Sequence, residues 1–331
     1  MKRLVAGLFI IVTLVFAMLA ALSGPLPETA VVGPEPVPPI DDLIPQGTRA
    51  DGEATLRVLR GGVIARMTME RYLIGVVASE MPAAFELEAL MAQAVAARTN
   101  ALYNMRVKPK ANHPGADVCS DFTCCTAYSD DEELRERWQD DYVENVTRII
   151  NAVLRTDGEY VSYEDKPILA VFHSSSAGKT ESSGNVWLED LPYLQSVYSP
   201  ETAEQVPDYV STVTVERSVF LDTIKRELSV TIVSDDEQSW ISDISYTESG
   251  RVGELSIGGV PVSGTKLRSM FDLRSTAISF EWAKGDVVFS TVGSGHGVGM
   301  SQYGANVMAK SGMDYKKILS TYYTGAVIQK S

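Results

Sequence analysis

The sequence predicts an α+β fold in which a pair of helices packs on a strand-rich core. Two observations predict the helices: Thr68 is suited to cap a helix that runs to about Glu80, and apolar side chains recur at helical spacing over residues 85–104. A third predicts the core, since short apolar strands such as "TVTVE" and "DVVFSTV" become frequent from residue 160 onward. Residues 211–285 have a helix and strands of their own and predict a smaller inserted α/β subdomain. We expect a substrate cleft between the helix pair and a glycine-rich turn near the C-terminus.

Local signals predict the remaining elements. The segment "ATLRVLRGGVIARMT" is typical of a hairpin, because Gly61-Gly62 suits a tight turn between two apolar strands. The segment from Ser129 to Gly158 predicts one long helix, with a capping box formed by Ser129 and Glu132. The last two helices are predicted from Met300 to Lys310 and from Tyr315 to Tyr323.

The N-terminus predicts a membrane anchor. Met1-Lys2-Arg3 precedes an uncharged, mostly apolar run from Leu4 to Leu22, which is long enough to cross a bilayer as a helix. Positive residues stay on the cytoplasmic side. We therefore expect residues 1–24 to cross the cell membrane once, with the remainder of the chain on the extracytoplasmic side. Cleavage of the run as a signal peptide is the alternative. A proline-rich extracytoplasmic linker follows at 25–50, and the catalytic domain is expected over 51–331.

Composition excludes some classes of partner. The chain has 331 residues and a net charge of −14, which disfavours nucleic acid and anionic lipid headgroups as ligands. Its three cysteines all lie within residues 119–125, an odd and clustered set that does not indicate a disulfide framework.

Glu80 is the first candidate for chemistry. Leu73, Val76, Val77 and Glu80 fall on one helical face, so a carboxylate follows three apolar side chains. Partial burial and the negative end of a helix both raise the pKa of a carboxyl group. Such a group is suited to act as a general acid near neutral pH. The alternative is a structural ion pair, for which Arg98 on the next helix is the expected partner.

The stretch "GSGHGVGMSQYGA", residues 293–305, predicts a binding turn. Its glycine spacing fits neither a dinucleotide fingerprint nor a P-loop. Four glycines around His296 indicate that the backbone comes close to something, either a ligand or a tightly packed strand. Ser301 and Gln302 then lie near a helix N-terminus, where they could reach a sugar or a carbonyl group.

A third stretch, "HSSSAGKTESSG", contains a weak match to a serine-nucleophile motif. Ser176-Ala177-Gly178-Lys179 fits S-x-x-K, which occurs in serine enzymes acting on cell-wall peptides. The companion K-T-G and S-D-N motifs are missing from the sequence. The surrounding Ser and Gly residues favour a loop, so a serine peptidase is a minor alternative.

The segment "HPGADVCSDFTCCTAY" predicts a metal site. His113, Cys119, Cys124 and Cys125 offer four ligands for tetrahedral Zn²⁺. Four protein ligands leave no position for water, so a zinc ion here is expected to be structural. Free or oxidised thiols are the alternative.

Together these stretches resemble the stage II sporulation protein D family. The motifs that carry the resemblance are "GVVASEMPAAFELEALMAQAVAARTNA", "HPGADVCSDFTCCTAY", "FHSSSAGKTESS", "LPYLQSV" and "GHGVGMSQYGA". Two positions depart from the family pattern: Cys124 stands where a histidine is frequent, and Gln195 replaces a frequent lysine.

The resemblance implies a peptidoglycan lytic transglycosylase of sporulation. Such an enzyme cuts the β-1,4 bond between N-acetylmuramic acid and N-acetylglucosamine in strands without stem peptides, and it leaves a 1,6-anhydro end. The implied setting is septal wall thinning during forespore engulfment, on the mother-cell side of the septum. The implied partners are stage II sporulation protein P, an amidase, and the scaffold stage II sporulation protein M.

The resemblance assigns catalysis to Glu80, which we expect to act as an acid and then as a base. We expect Arg98 to bind at the same site as a positioning or charge-stabilising partner. The remaining glycan-binding candidates are Ser174, Ser175, Tyr193, Ser301 and Gln302. The leading alternative function is a non-catalytic peptidoglycan-binding module that recruits or stimulates an amidase.

Overall fold

Helices and strands alternate along residues 37–331, which are the residues that this computed structural model describes. The helices are α1 (Ile40–Leu43), α2 (Ala50–Glu53), α3 (Met69–Glu80), α4 (Leu87–Arg106), α5 (Asp131–Trp138), α6 (Tyr142–Arg155), α7 (Arg217–Leu228), α8 (Gly264–Met270), α9 (Gln302–Lys310) and α10 (Tyr315–Tyr322). The strands are β1 (Thr55–Arg60), β2 (Val63–Thr68), β3 (Val118–Cys119), β4 (Glu159–Tyr163), β5 (Lys166–Pro167), β6 (Phe172–His173), β7 (Val210–Val215), β8 (Ile241–Tyr246), β9 (Val252–Ile257), β10 (Val260–Ser263), β11 (Ile278–Ala283), β12 (Asp286–Val292), β13 (Met300–Ser301) and β14 (Val327–Lys330). The predicted α+β class is confirmed.

The strands form small separate sheets. The sheet orders are β2-β1-β3, β10-β9-β8, β11-β12-β7, β14-β4-β5 and the parallel pair β13-β6. The predicted hairpin is present: β1 and β2 pair antiparallel from Thr55 opposite Thr68 to Arg60 opposite Val63. Gly61 and Gly62 both have positive φ, at 54° and 81°, which is the backbone conformation that a two-residue hairpin turn requires.

Helix α4 is the centre of the main core. All its residues from Ala89 to Asn104 are buried, and α3, α6, α9 and α10 pack around it. An amphipathic stripe predicts one buried face, but a helix that neighbours enclose is buried around its whole circumference. The alanines of α4 allow this enclosure, because small side chains let the surrounding helices approach closely.

The predicted long helix from Ser129 is interrupted. It is divided into α5 and α6 by a 3-10 turn at Gln139–Asp141, where Gln139 has a φ of 45°. The capping box also lies one residue later than expected: the Asp130 side chain accepts from the Glu133 N–H, and the Glu133 carboxylate accepts from the Asp130 N–H. Ser129 is buried instead, and its hydroxyl contacts Ser79 and Arg137.

Residues 39–50, which the sequence analysis placed in the linker, belong to the same compact unit as the rest of residues 39–331. Ile40 is fully buried in the main core. Arg49 forms an ion pair with Glu70, and the backbone N–H groups of Ala50 and Asp51 donate to Asp157. Any shortened form of the protein should therefore begin before Pro39.

A second apolar cluster involves only residues from 213 to 289. Within it Phe220 stacks on Trp240 and on Phe271, and Trp282 meets Trp240 edge to face. Phe289 of β12 is fully buried there. The range agrees with the subdomain expected at 211–285, with β7 and β12 as its first and last strands. It remains a prediction that this part is an inserted subdomain. The substrate cleft between the helix pair and the glycine-rich turn also remains a prediction.

The predicted anchor at residues 1–24 and most of the predicted linker lie outside the described residues. Within residues 37–331, no helix combines the length and hydropathy needed to span a membrane.

The ion pair between Arg98 and Asp51 yields a stability prediction. Arg98→Met leaves a buried carboxyl group without its cation, so we expect the free energy of unfolding in urea to fall by about 3–5 kcal/mol. Arg226→Met is the matched control, because Arg226 forms an exposed pair with Glu227 and exposed pairs contribute little to stability. Equal losses in the two variants would contradict this account.

Candidate functional site

Glu80 joins three segments that are distant in the sequence. It is the last residue of α3, and Pro82 follows its C-cap, Met81. Its Oε1 accepts from the backbone N–H of Ala127 at 2.9 Å, and its Oε2 accepts from Nε2 of Gln302 at 3.1 Å. The carboxylate therefore connects α3, the loop before α5 and the start of α9.

Burial raises the pKa of Glu80 above its ordinary value of 4.5. The hydrogen bonds from Ala127 and Gln302 oppose this shift because they favour the carboxylate, but they do not cancel it. The side chain is only half-buried by surface area, so it is open to a ligand. A carboxyl group of this kind can donate a proton and then accept one.

The last turn of α3 is held in place by neighbouring side chains. The Ser79 hydroxyl donates to the Gly75 carbonyl at 2.7 Å, and an Arg137 guanidinium N–H donates to the Ala78 carbonyl at 3.0 Å. The ring of Tyr128 lies where a side chain at position 75 would be, at 2.4 Å from a Cβ built there. Glycine at this position lets the loop that carries Ala127 lie against α3.

The glycine-rich turn packs tightly against the segment 171–176. Gly293, Gly295, Gly297 and Gly299 all have φ between 71° and 105°. A Cβ at Gly299 would lie 2.2 Å from the Val171 carbonyl oxygen, so no side chain fits there. The close approach allows β13 to pair with β6 and brings Gln302 to Glu80.

A buried carboxylate, Glu201, supports the start of α9. Its Oε1 accepts from the Ser176 N–H at 2.6 Å and from the Ser301 hydroxyl at 2.5 Å, and its Oε2 accepts from Ser199 at 2.6 Å. Ser301 also caps α9 by accepting from the Gly304 N–H. Ser301 is fully buried, so its hydroxyl serves the fold next to Gln302 and is not exposed to a ligand.

The other predicted binding residues are more dispersed. Ser174 is half-buried, and its carbonyl accepts from the Tyr303 N–H. Ser175 is buried, and its hydroxyl has no hydrogen-bond partner among the described residues. Tyr193 is buried, and its hydroxyl accepts from the Leu169 N–H at 3.2 Å. Gln195 donates to the Leu191 carbonyl. Gln302 is the predicted binding residue that contacts Glu80.

Arg98 does not contact Glu80. Its side chain is 1% exposed, its Nε lies 2.9 Å from both carboxylate oxygens of Asp51, and its Nη1 donates to the Glu159 carbonyl at 2.9 Å. The predicted partnership of Arg98 with Glu80 is therefore absent from this structure. The helical face was correctly identified as buried, but α2 supplies the acid that it meets.

The predicted metal ligands lie together. The ligand atoms of His113, Cys119, Cys124 and Cys125 are all within 4.8 Å of one another, with His113 Nε2 at 3.6 Å from Cys125 Sγ. Three sulfurs and one imidazole at these separations fit a tetrahedral Zn²⁺ after small side-chain movements, since Zn–S bonds are about 2.3 Å long. The same loop continues to Ala127, the hydrogen-bond donor to Glu80.

A histidine contacts the candidate serine nucleophile, but both side chains are closed to solvent. Nε2 of His173 lies 2.7 Å from the Ser176 hydroxyl, and its Nδ1 lies 3.1 Å from the Val298 carbonyl. Both residues are buried, and Lys179 of the S-x-x-K match is exposed. The enclosed hydroxyl and the exposed lysine do not favour a serine nucleophile, and the pair packs against the glycine-rich turn.

Comparisons with known proteins give one family model and several relatives that match this chain. A family model described as Stage II sporulation protein (SpoIID) matches residues 60–163, a range that contains Glu80 and all four cluster residues. The chain is 37% identical over 271 residues to stage II sporulation protein D of Bacillus amyloliquefaciens and of Bacillus subtilis, covering 81% of this chain and 76% of each relative. It is also 29% identical to an amidase enhancer of Bacillus subtilis, over 77% of this chain and 40% of that protein.

The raised pKa of Glu80 yields a prediction about stability and pH. Below about pH 4 the side chain is protonated in both the folded and unfolded states. As the pH rises towards the folded-state pKa, the unfolded state gives up this proton more readily than the folded state, so the folded protein loses stability. We therefore expect Glu80→Gln to become progressively more stable than the unsubstituted protein as the pH rises from 4 to 8, by about 1.4 kcal/mol for each unit of pKa shift. Urea unfolding at several pH values measures this, and a constant difference would contradict it.

Proposed function

Because the chain belongs to the stage II sporulation protein D family, we propose that it is a peptidoglycan lytic transglycosylase with Glu80 as its acid and base. The observation that carries the proposal is the half-buried carboxyl of Glu80, whose pKa is raised although two donors bind it. Protonation of a glycosidic oxygen requires a carboxyl group that still holds its proton, and a raised pKa favours that form.

One carboxyl group suffices for this reaction. The acid form of Glu80 gives its proton to the glycosidic oxygen as the C1–O bond breaks. The resulting carboxylate takes the proton of the 6-hydroxyl of the same N-acetylmuramic acid, whose oxygen bonds to C1 and forms the 1,6-anhydro ring. The proton count balances and no water enters. A hydrolase would need a second carboxylate as nucleophile or to activate a water, which this reaction does not.

Ala127 and Gln302 hold the carboxylate in the second half of the reaction. Both donate hydrogen bonds that stabilise the negative charge after the first proton has left. They also keep Glu80 in one orientation, which favours transfer to and from fixed oxygens. Glu201 supports this arrangement through Ser301, the residue next to Gln302.

Glu80→Gln tests the proposal directly. With peptide-free glycan strands we expect anhydro-ended products from the unsubstituted protein and a loss of about 10²–10⁴-fold in rate for the variant, since general acid catalysis is removed. Mass spectrometry distinguishes anhydro ends from reducing ends. Glu86→Gln is the matched control, because Glu86 is exposed at the start of α4 and its side chain caps nothing.

Full activity in Glu80→Gln would overturn the proposal, and reducing ends would indicate a hydrolase. The second candidate function is a non-catalytic module that recruits or stimulates an amidase, which the similarity to an amidase enhancer favours. In that case no product forms with either protein, and stimulation of an added amidase is the same for both.

We also propose a structural Zn²⁺ held by His113, Cys119, Cys124 and Cys125. The ion would hold together the loop that ends at Ala127. With four protein ligands it would have no open coordination position for catalysis. We propose that an N-terminal span anchors the protein in the cell membrane, with its catalytic domain outside the cytoplasm. We also propose that it works beside two partners, the amidase stage II sporulation protein P and the scaffold stage II sporulation protein M.

Removal of zinc should lower both stability and activity. We expect about one Zn²⁺ per chain by elemental analysis, and a chelator should lower the melting temperature because the ion binds the folded state only. Loosening of the loop at Ala127 should also slow glycan cleavage. Activity and melting temperature that do not change after the metal content falls to zero would contradict a structural zinc.

A further inference from the structure

Arg251 is a buried cation whose N–H groups have no acceptor in the part of the chain that the structure describes. It lies one residue before β9 and is 1% exposed, and Nε, Nη1 and Nη2 have no hydrogen-bond partner within residues 37–331. No carboxylate of the described residues lies within ion-pair distance of it. A buried charge is costly unless it is paired and hydrogen-bonded, and this guanidinium has only the more distant charges of Glu181 and Glu201, with no acceptor for its N–H groups.

The guanidinium lies against the glycine-rich turn. A Cβ at Gly297 would be 2.8 Å from Cζ of Arg251 and 2.9 Å from its Nε, so only glycine leaves room for it. Gly297 has a φ of 84°. The same turn continues to Gln302, which contacts Glu80. Arg251 thus connects the second apolar cluster to the segment that positions the candidate acid.

A second cation, Arg268, lies near Arg251. It is half-buried in α8, and its Nε donates to the Leu273 carbonyl at 3.0 Å. Burial lowers the pKa of Arg251, and the positive charge of Arg268 lowers it further against the opposing effect of Glu181. Burial, and then the charge of Arg268, lowers the pKa of His296 to about 4, so this imidazole is neutral at neutral pH.

The nearby acids are engaged elsewhere. Glu181 Oε2 accepts from Thr247 at 2.6 Å and from Ser249 at 2.7 Å, and its Oε1 accepts from the Ser182 N–H and from Asn185. Glu201 is occupied by the hydrogen bonds that support α9. Arg251 thus lies against the glycine-rich turn, Arg268 is near enough to lower its pKa, and neutral donors already occupy the oxygens of the two acids.

We propose that Arg251 and Arg268 bind a carboxylate group at the glycine-rich turn. Guanidinium groups bind carboxylates with two parallel hydrogen bonds, which matches the unpaired nitrogens of Arg251. This inference rests on the proposed function, because N-acetylmuramic acid without a stem peptide carries a free lactyl carboxylate. A small free carboxylate has the same chemistry and is the other source.

An aromatic side chain beside His296 of the glycine-rich turn suits a sugar ring. The indole of Trp187 is 38% exposed, and its ring centroid lies 5.2 Å from that of His296. Aromatic faces bind the apolar faces of sugars while the polar groups bond elsewhere. The nitrogens of Arg251 are closed to solvent in this structure, so binding of a carboxylate to them requires the residues that cover them to move.

The test measures binding without turnover, in the full-length chain carrying Glu80→Gln. The probes are peptide-free glycan strands with free lactyl carboxylates, the same strands after reduction of the carboxylates to alcohols, and sodium acetate. We expect the acidic strands to bind roughly tenfold tighter than the reduced strands, the size of a charge-assisted hydrogen bond. Arg251→Met and Arg268→Gln should each bring the ratio close to one, whereas the exposed control Arg226→Gln should not change it.

The acetate measurement separates the two sources of carboxylate. The site holds a small carboxylate if two results are found together. The acidic and reduced strands bind equally tightly, and acetate raises the melting temperature of the protein that has Arg251 but not that of Arg251→Met. If neither effect depends on Arg251 or Arg268, the inference is overturned. Should Arg251→Met fail to fold, the half-buried Arg268→Gln still decides. Binding is measured without cleavage, so a failure here is distinct from failure of Glu80 to produce anhydro ends.

Discussion

The pair of hydrogen bonds from Ala127 and Gln302 to Glu80 is the contact on which the site depends. The two donors come from a loop and a helix that are separated by more than half of the chain. Each donor has its own support: the loop lies against Gly75 and contains the cluster of His113 and three cysteines, and the helix start is bound by Glu201. The fold thus holds one carboxyl group from two sides.

Two opposing effects determine the acidity of Glu80. Partial removal from water favours the neutral acid, and the two donors favour the carboxylate. The balance favours the acid but leaves the ionised form stabilised, which suits a group that first gives up a proton and then takes one back. A second carboxylate beside it would shift this balance further, and the proposed intramolecular attack by the substrate hydroxyl removes the need for one.

Sequence patterns predicted what depends on local periodicity and composition. Helix α3 ends at Glu80 as its apolar spacing and Pro82 indicated, and the cysteine cluster comes together as its spacing indicated. Partners contributed by distant segments were missed. Arg98 was correctly placed on a buried face, yet which acid it would meet depends on how α2 folds back.

Buried polar groups in loops were also beyond sequence reasoning. Glu201 looks like an ordinary surface acid, and the Ala127 donor is a backbone N–H that any residue could supply. Ser301 was predicted to face a ligand from its place at a helix start, but the same place makes it a cap and a partner of Glu201. Arg251 carries no local signal, because only its position over Gly297 makes it unusual.

The central claim is that Glu80 remains a neutral acid to higher pH than an ordinary glutamate. A titration of its side-chain carboxyl by ¹³C NMR, with the signal assigned by its loss in Glu80→Gln, measures this directly. The account predicts a pKa clearly above the ordinary value of 4.5. A value at or below 4.5 would mean that the hydrogen bonds from Ala127 and Gln302 outweigh burial, and Glu80 could not then act as the acid.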